Sequence, residues 1–103
     1  MSLELVNVRR WQAEAPPDEP LVRALLAEEG LDACAWGNAP REVYAPHLHG
    51  YDKVIYVVEG SIAFCLTDGR ITLQAGDRLD LPAGVEHAAS VGPQGVRCLE
   101  AHR

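Results

Sequence analysis

The stretch REVYAPHLHGYDKVIYVVEG, residues 41–60, decides the fold. It places two short runs rich in strand-forming residues, 42–49 and 53–59, one after the other, and closes the second on Gly60. Valine, isoleucine and tyrosine in runs of this length between turn residues read as strands rather than helix. Working outward, the same reading applies to 32–36, 62–67, 70–74, 78–81, 88–91 and 96–102, with Gly37, Gly60, Gly76, Pro82, Gly84, Gly92-Pro93 and Gly95 as punctuation. Strands at roughly 8–12-residue spacing predict an all-β sandwich or barrel. Asp68-Gly69 predicts a two-residue hairpin with both turn residues at positive φ.

Upstream the pattern changes. Residues 3–8, LELVNV, alternate apolar and polar and predict a further strand. A proline-rich connector, PPDEP at 16–20, leads into one short helix of about three turns. Asp18 is its expected N-cap and Pro20 lies in the first turn, where a missing N–H costs nothing. Leu21, Val22, Leu25 and Leu26 make the apolar stripe, and Gly30 supplies the left-handed stop with Leu31 packing back.

Composition narrows the function classes. The chain has 103 residues, 48% of them hydrophobic, which suits one domain with one principal core. A net charge of −6 argues against a nucleic-acid partner. The longest strongly apolar run, Val54 to Val58, is far short of the ~20 residues of a membrane-crossing helix, so no membrane partner is expected. The N-terminus shows no secretory signal pattern, and Cys34, Cys65 and Cys98 are odd in number without a CxxC pair. A reducing cytoplasm is the expected location, with the cysteines as small buried hydrophobes. Of nine basic residues, Lys53 is the single lysine.

His47 and His49 stand at i and i+2, which on a strand puts both imidazoles on one face. His87 follows a turn-rich LPAGVE segment that can aim a third imidazole at the same point. Such a pair either holds a metal or decorates a strand edge beside Pro46; spacing alone leaves both open. Motifs for nucleotide phosphates, a nucleophile elbow or a zincin helix are absent.

At these residues the chain resembles the cupins. Their first motif runs G-x5-H-x-H-x(3 or 4)-E-x6-G; His47, His49 and Gly60 match, while Arg41 and Lys53 replace the glycine and the glutamate. The second runs G-x5-P-x-G-x2-H-x3-N; Gly76, Pro82, Gly84 and His87 match and Val91 replaces the asparagine. The resemblance implies a cupin jelly-roll β-barrel over residues 36–103, with the strand, connector and helix of 1–35 packed on it. It also implies a divalent first-row metal (Fe, Mn, Ni, Zn or Cu) in the barrel mouth, with His47, His49 and His87 as nitrogen ligands.

Lys53 is the departure. An ammonium ~4 Å from a divalent ion at an effective dielectric of ~20 is repelled by roughly 8 kcal/mol. Lys53 therefore either reaches the surface, stays inside uncharged, or stays charged in a metal-free site that holds an anion. Asp52 points away from Lys53 on a strand and is a poor substitute acid. Tyr44, Glu100 and His102 are further pocket candidates, although Glu100 and His102, close to the C-terminus, are expected to face solvent. Arg41 and Arg78 read as surface charge. The leading function is a metal-dependent oxygenase- or isomerase-type cupin acting on a small polar molecule. Its alternative is a non-catalytic anion-binding or sensing module in which Lys53 replaces the glutamate, so catalysis itself stays open. A small-molecule ligand and a homodimer complete the expectation; a third reading is a chiefly structural or partner-binding dimer in which strand 3–8 adds to a neighbour's sheet edge.

Overall fold

The computed structural model describes residues 2–103. Its framework is two long strands, β4 (Lys53–Leu66) and β7 (His87–His102), paired antiparallel along their length. Around them lie α1 (Ser2–Leu5), β1 (Asn7–Arg9), α2 (Glu19–Glu28), β2 (Cys34–Asn38), β3 (Val43–His47), β5 (Gly69–Gln74) and β6 (Arg78–Leu81). The strand order is β1-β6-β4-β7-β2, with β3 also on β7 and β5 also on β4. The expected all-β jelly roll with a short N-terminal helix is what forms.

The expected strands 53–59 and 62–67 are one strand, and so are 88–91 and 96–102. Gly60 and Gly95 bend the chain here without ending it. Both have positive φ, 76° and 81°, and they face each other so closely that a Cβ on Gly60 would overlap the Gly95 carbonyl. The β4–β7 register shifts on either side of this point, between Val57/Glu59 and Gly60/Ile62. An irregularity of that kind curves a sheet, as barrel closure needs.

Alternation along β4 then builds two cores. Ile55, Val57, Ile62 and Phe64 face the barrel interior with Leu73, Leu79 and Cys98. Val54, Tyr56 and Val58 face the other way and are covered by Val22 and Leu26 of α2. The helix starts as the sequence predicts, with the Leu21 N–H donating to the Asp18 carboxylate at 2.9 Å. It ends on Gly30 at φ 74°, with the Leu31 N–H donating to the Leu26 carbonyl at 3.0 Å. Only half of the expected stripe is buried: Leu21 is exposed and Leu25 partly so.

Four expectations need correction. Residues 3–8 are not one strand: α1 is a helical turn, anchored by the Leu3 N–H on the Asp68 carboxylate at 3.0 Å, and only Asn7–Arg9 pairs, with β6. The hairpin turn is Thr67-Asp68, one residue earlier than expected, and neither residue has positive φ; Gly69 opens β5 and leaves room for the Leu3 side chain. Arg78 is not surface charge. At 1% exposure it lies over the Tyr56 ring, ion-paired to Asp80 (Nε–Oδ1 2.7 Å) and to Glu29 at the end of α2. Of the cysteines, Cys98 is buried, but Cys34 is exposed and Cys65 intermediate.

Candidate metal centre

The end of β3 delivers His47 opposite His87 in the β3–β7 pairing. His49 follows in the loop before β4, and its backbone carbonyl accepts the Gly84 N–H at 2.9 Å. That bond ties the loop of His49 to the turn preceding His87. A second tie is made by Asp52, whose carboxylate accepts the Ala83 N–H at 2.7 Å. Asp52 is thus turned to the turn, as its alternation with Lys53 predicts.

The three imidazoles converge. Ring centroids of His47 and His87 are 4.3 Å apart, His47 and His49 4.9 Å, His49 and His87 5.4 Å. One nitrogen from each lies within 4.8 Å of the other two. Carbonyl acceptors fix two of the rings: His47 Nδ1–H donates to Ala45 O at 2.7 Å and His87 Nδ1–H to Val85 O at 2.9 Å. A proton on Nδ1 leaves Nε2 as the free lone pair, the arrangement a ligating histidine needs. His49 Nε2 is buried and has no hydrogen-bond partner among the described residues. A buried nitrogen without a partner is costly unless something else occupies its lone pair. The donor set therefore fits a first-row transition ion.

Electrostatics point the same way. Burial pushes the His49 imidazole below its ordinary pKa, and the charge of Lys53 adds to this. Burial also lowers His87, more than its bond to Val85 restores. Both rings are held neutral, the form that binds metal. In the metal-free protein this has a consequence for stability. The unfolded chain takes up protons near the ordinary histidine value of about 6.5, whereas the folded one resists until lower pH. Stability present above about pH 6.5 is expected to fall as the pH drops below it, ahead of any loss from Asp77 and Glu29, whose carboxyls are held below their ordinary range. Urea midpoints in EDTA between pH 7 and 5 measure the slope, and His87→Gln should flatten it; an unchanged slope would remove His87 as its source.

The histidines open onto a cavity of ≈ 300 Å³ walled by Trp36, Ile55, Ile62, Phe64 and Ala89, with Tyr44 at its edge. Tyr44 is also bonded to Asn38 through its hydroxyl, at 2.5 Å. Lys53 and Glu100 complete the lining. Lys53 does not reach the surface. It stays in the pocket, 13% exposed, with Nζ 3.3 Å from Glu100 Oε2. Glu100 faces the pocket and not solvent, because β7 remains paired to its end, with β2 at Cys34 and with β4 at Ile55. His102 is half exposed and bonds Glu100 Oε2 at 2.8 Å.

Two participants escaped the sequence reading. Trp36 packs against the barrel core and also donates its indole N–H to Glu100 Oε1 at 3.2 Å. Tyr51 stacks between His49 and His102, at centroid distances of 5.2 and 4.1 Å. Trp36 stands two residues from Cys34, the register partner of Glu100, so a correct β2–β7 pairing would have exposed its role. Nothing in the spacing of Tyr51 signals its stack.

A small jelly-roll barrel with three imidazoles gathered at one cavity defines the class. The chain belongs to the cupin domain family, whose model matches residues 37–101. It is similar to the acireductone dioxygenase of Serratia proteamaculans (strain 568), 33% identical across 84% of this chain and 63% of that one. It is also similar to the acireductone dioxygenase of Danio rerio, 29% identical across 86% of this chain and 59% of that one. The chain thus spans less than two thirds of the length of these curated relatives. Among solved structures, an RmlC-like cupin from Shewanella frigidimarina superposes with a TM-score of 0.61 at 28% identity, covering 70% of this chain and 64% of that one. A DUF861 family protein from Thermotoga maritima superposes with a TM-score of 0.68 over 95% of this chain and 99% of that one; at 17% identity it speaks for the fold alone. No helix among the described residues is long and apolar enough to cross a membrane.

Proposed function

We propose that this chain is a metal-dependent cupin of the oxygenase type, acting on a small oxygen-rich molecule such as an acireductone. His47, His49 and His87 would hold one divalent first-row ion, with iron, manganese, nickel, zinc and copper all compatible with an imidazole set. The single observation that carries this reading is the cluster of three imidazoles, one of which, His49, has a buried and unpartnered Nε2. Likeness to two acireductone dioxygenases supports the oxygenase class and the substrate type. A bound ion would supply Lewis-acid polarisation of the substrate or activation of dioxygen.

The chain's own residues would do the rest. The apolar wall of Trp36, Ile62 and Phe64 excludes bulk water from the ligand and limits it to a small molecule. Tyr44, at the edge, offers a hydroxyl, and Lys53 an ammonium. The alternative of a metal-free anion-binding module loses ground because Lys53 already has Glu100 as counter-ion. Cytoplasmic location and a homodimer belong to the same proposal.

Metal analysis of purified protein, combined with oxygen uptake on a synthetic acireductone, tests the reading. Near-stoichiometric transition metal with metal-dependent oxygen uptake is the expected result. A protein that holds no metal even after reconstitution would overturn it; metal without oxygen uptake would remove the oxygenase part.

A further inference from the structure

We propose that Glu100 supplies the carboxylate of the metal centre from β7, and that an arriving ion displaces Lys53 as its counter-charge. The inference rests on the three-histidine reading above. Where the cupin first motif places its glutamate, this chain has Lys53. The nearest acid in sequence, Asp52, is committed to the Ala83 N–H. Glu100 is the one carboxylate lining the cavity of the three histidines. Its register partner on β4 is Ile55, which shares a strand face with Lys53, so the acid enters the same pocket from the neighbouring strand.

Every partner of this carboxylate is a nitrogen. Trp36 Nε1 donates to Oε1 at 3.2 Å, Lys53 Nζ lies 3.4 Å from Oε1 and 3.3 Å from Oε2, and His102 Nε2 lies 2.8 Å from Oε2. Glu100 stands outside the 4.8 Å cluster of imidazole nitrogens. Lys53 holds it back. A largely buried carboxylate needs a cation, and without metal the pocket offers Lys53. Once a divalent ion sits on the imidazoles, the carboxylate has a partner of twice the charge, while the ammonium, repelled by the ion, loses its reason to stay. Lysine suits that exchange better than arginine, since a single point charge leaves a carboxylate more readily than a two-pronged guanidinium. This gives a use to the chain's single lysine.

Two measurements with Co²⁺ alone test the proposal. Chelator competition and the visible Co²⁺ spectrum should show Glu100→Gln binding about 10–100-fold more weakly with altered bands. Lys53→Met should bind at least about tenfold more tightly, on the repulsion it removes. Thermal unfolding in EDTA checks that both variants fold, and Glu100→Asp should recover part of the lost affinity. Because Lys53 is the single lysine, reductive methylation read by mass spectrometry on the peptide that contains it, apart from the N-terminal amine, reports its freedom directly. Co²⁺ should speed its labelling in the wild type and have no effect in His47→Ala. Equal Co²⁺ affinity and spectrum in wild type and Glu100→Gln would overturn the exchange while leaving the three-histidine site intact. Labelling that Co²⁺ leaves unchanged or slows would overturn it as well. No Co²⁺ binding by the wild type would overturn both this proposal and the reading beneath it.

Discussion

His87→Ala is expected to cost the protein its hold on divalent metal, lowering affinity by more than about 100-fold. Changes beyond the ligand shell commonly cost 10–100-fold, and His87 would belong to that shell itself. It is the most deeply placed of the three imidazoles at 3% exposure, with its ring oriented by the Val85 carbonyl. Its loss leaves His47 and His49 as a two-nitrogen site. The fold should survive, at a cost of about 1–3 kcal/mol for the emptied space beside Phe64. Chelator competition on the purified variant measures the affinity, and far-ultraviolet dichroism checks the fold. Retention of metal within a few-fold of wild type would place the site elsewhere.

The second large effect concerns stability and not the site. Arg78→Met is expected to lower unfolding free energy by about 3–5 kcal/mol, the usual result of removing one partner from a buried ion pair. With total stabilities of about 5–15 kcal/mol, that is a serious loss. The guanidinium joins Asp80 on its own strand to Glu29, the C-cap of α2. Without it, Asp80 keeps only the longer contact with Arg103 at 3.9 Å, and α2 loses its tie to β6. Arg78 and Asp80 share one face of β6, while Leu79 and Leu81 point into the barrel, so metal affinity should not change. Urea midpoints give the first quantity and chelator competition the second. A midpoint close to wild type would show that this pair contributes little.

How far the sequence could be read depended on whether a residue's meaning was local. The His47/His49 spacing and the Pro82-Gly84-His87 turn are local patterns, and the structure brings all three histidines together. Helix α2 was legible for the same reason, its N-cap and glycine stop each lying within a turn of the element they bound. Strand ends were not. Gly60 and Gly95 look like stops in the sequence, and only their cross-strand contact shows that they curve two continuous strands. Glu100 was a pocket candidate, but nearness to the C-terminus favoured a solvent-facing side chain, whereas pairing on both sides of β7 holds it in the pocket. Arg78 was misread because its partner Glu29 is 49 residues away in the chain. The fate of Lys53 likewise turned on Glu100, 47 residues distant.

The continuity of β4 and β7 has one more consequence. These two strands contribute to both apolar clusters, and between them they also carry Lys53, His87 and Glu100. Pocket and helix side therefore have no seam along which one could open alone, and the central amides of both should exchange with solvent only through whole-molecule opening. A ligand gripping the imidazoles would then slow exchange at Tyr56 and Leu99, which pair with each other beneath a helix it never touches.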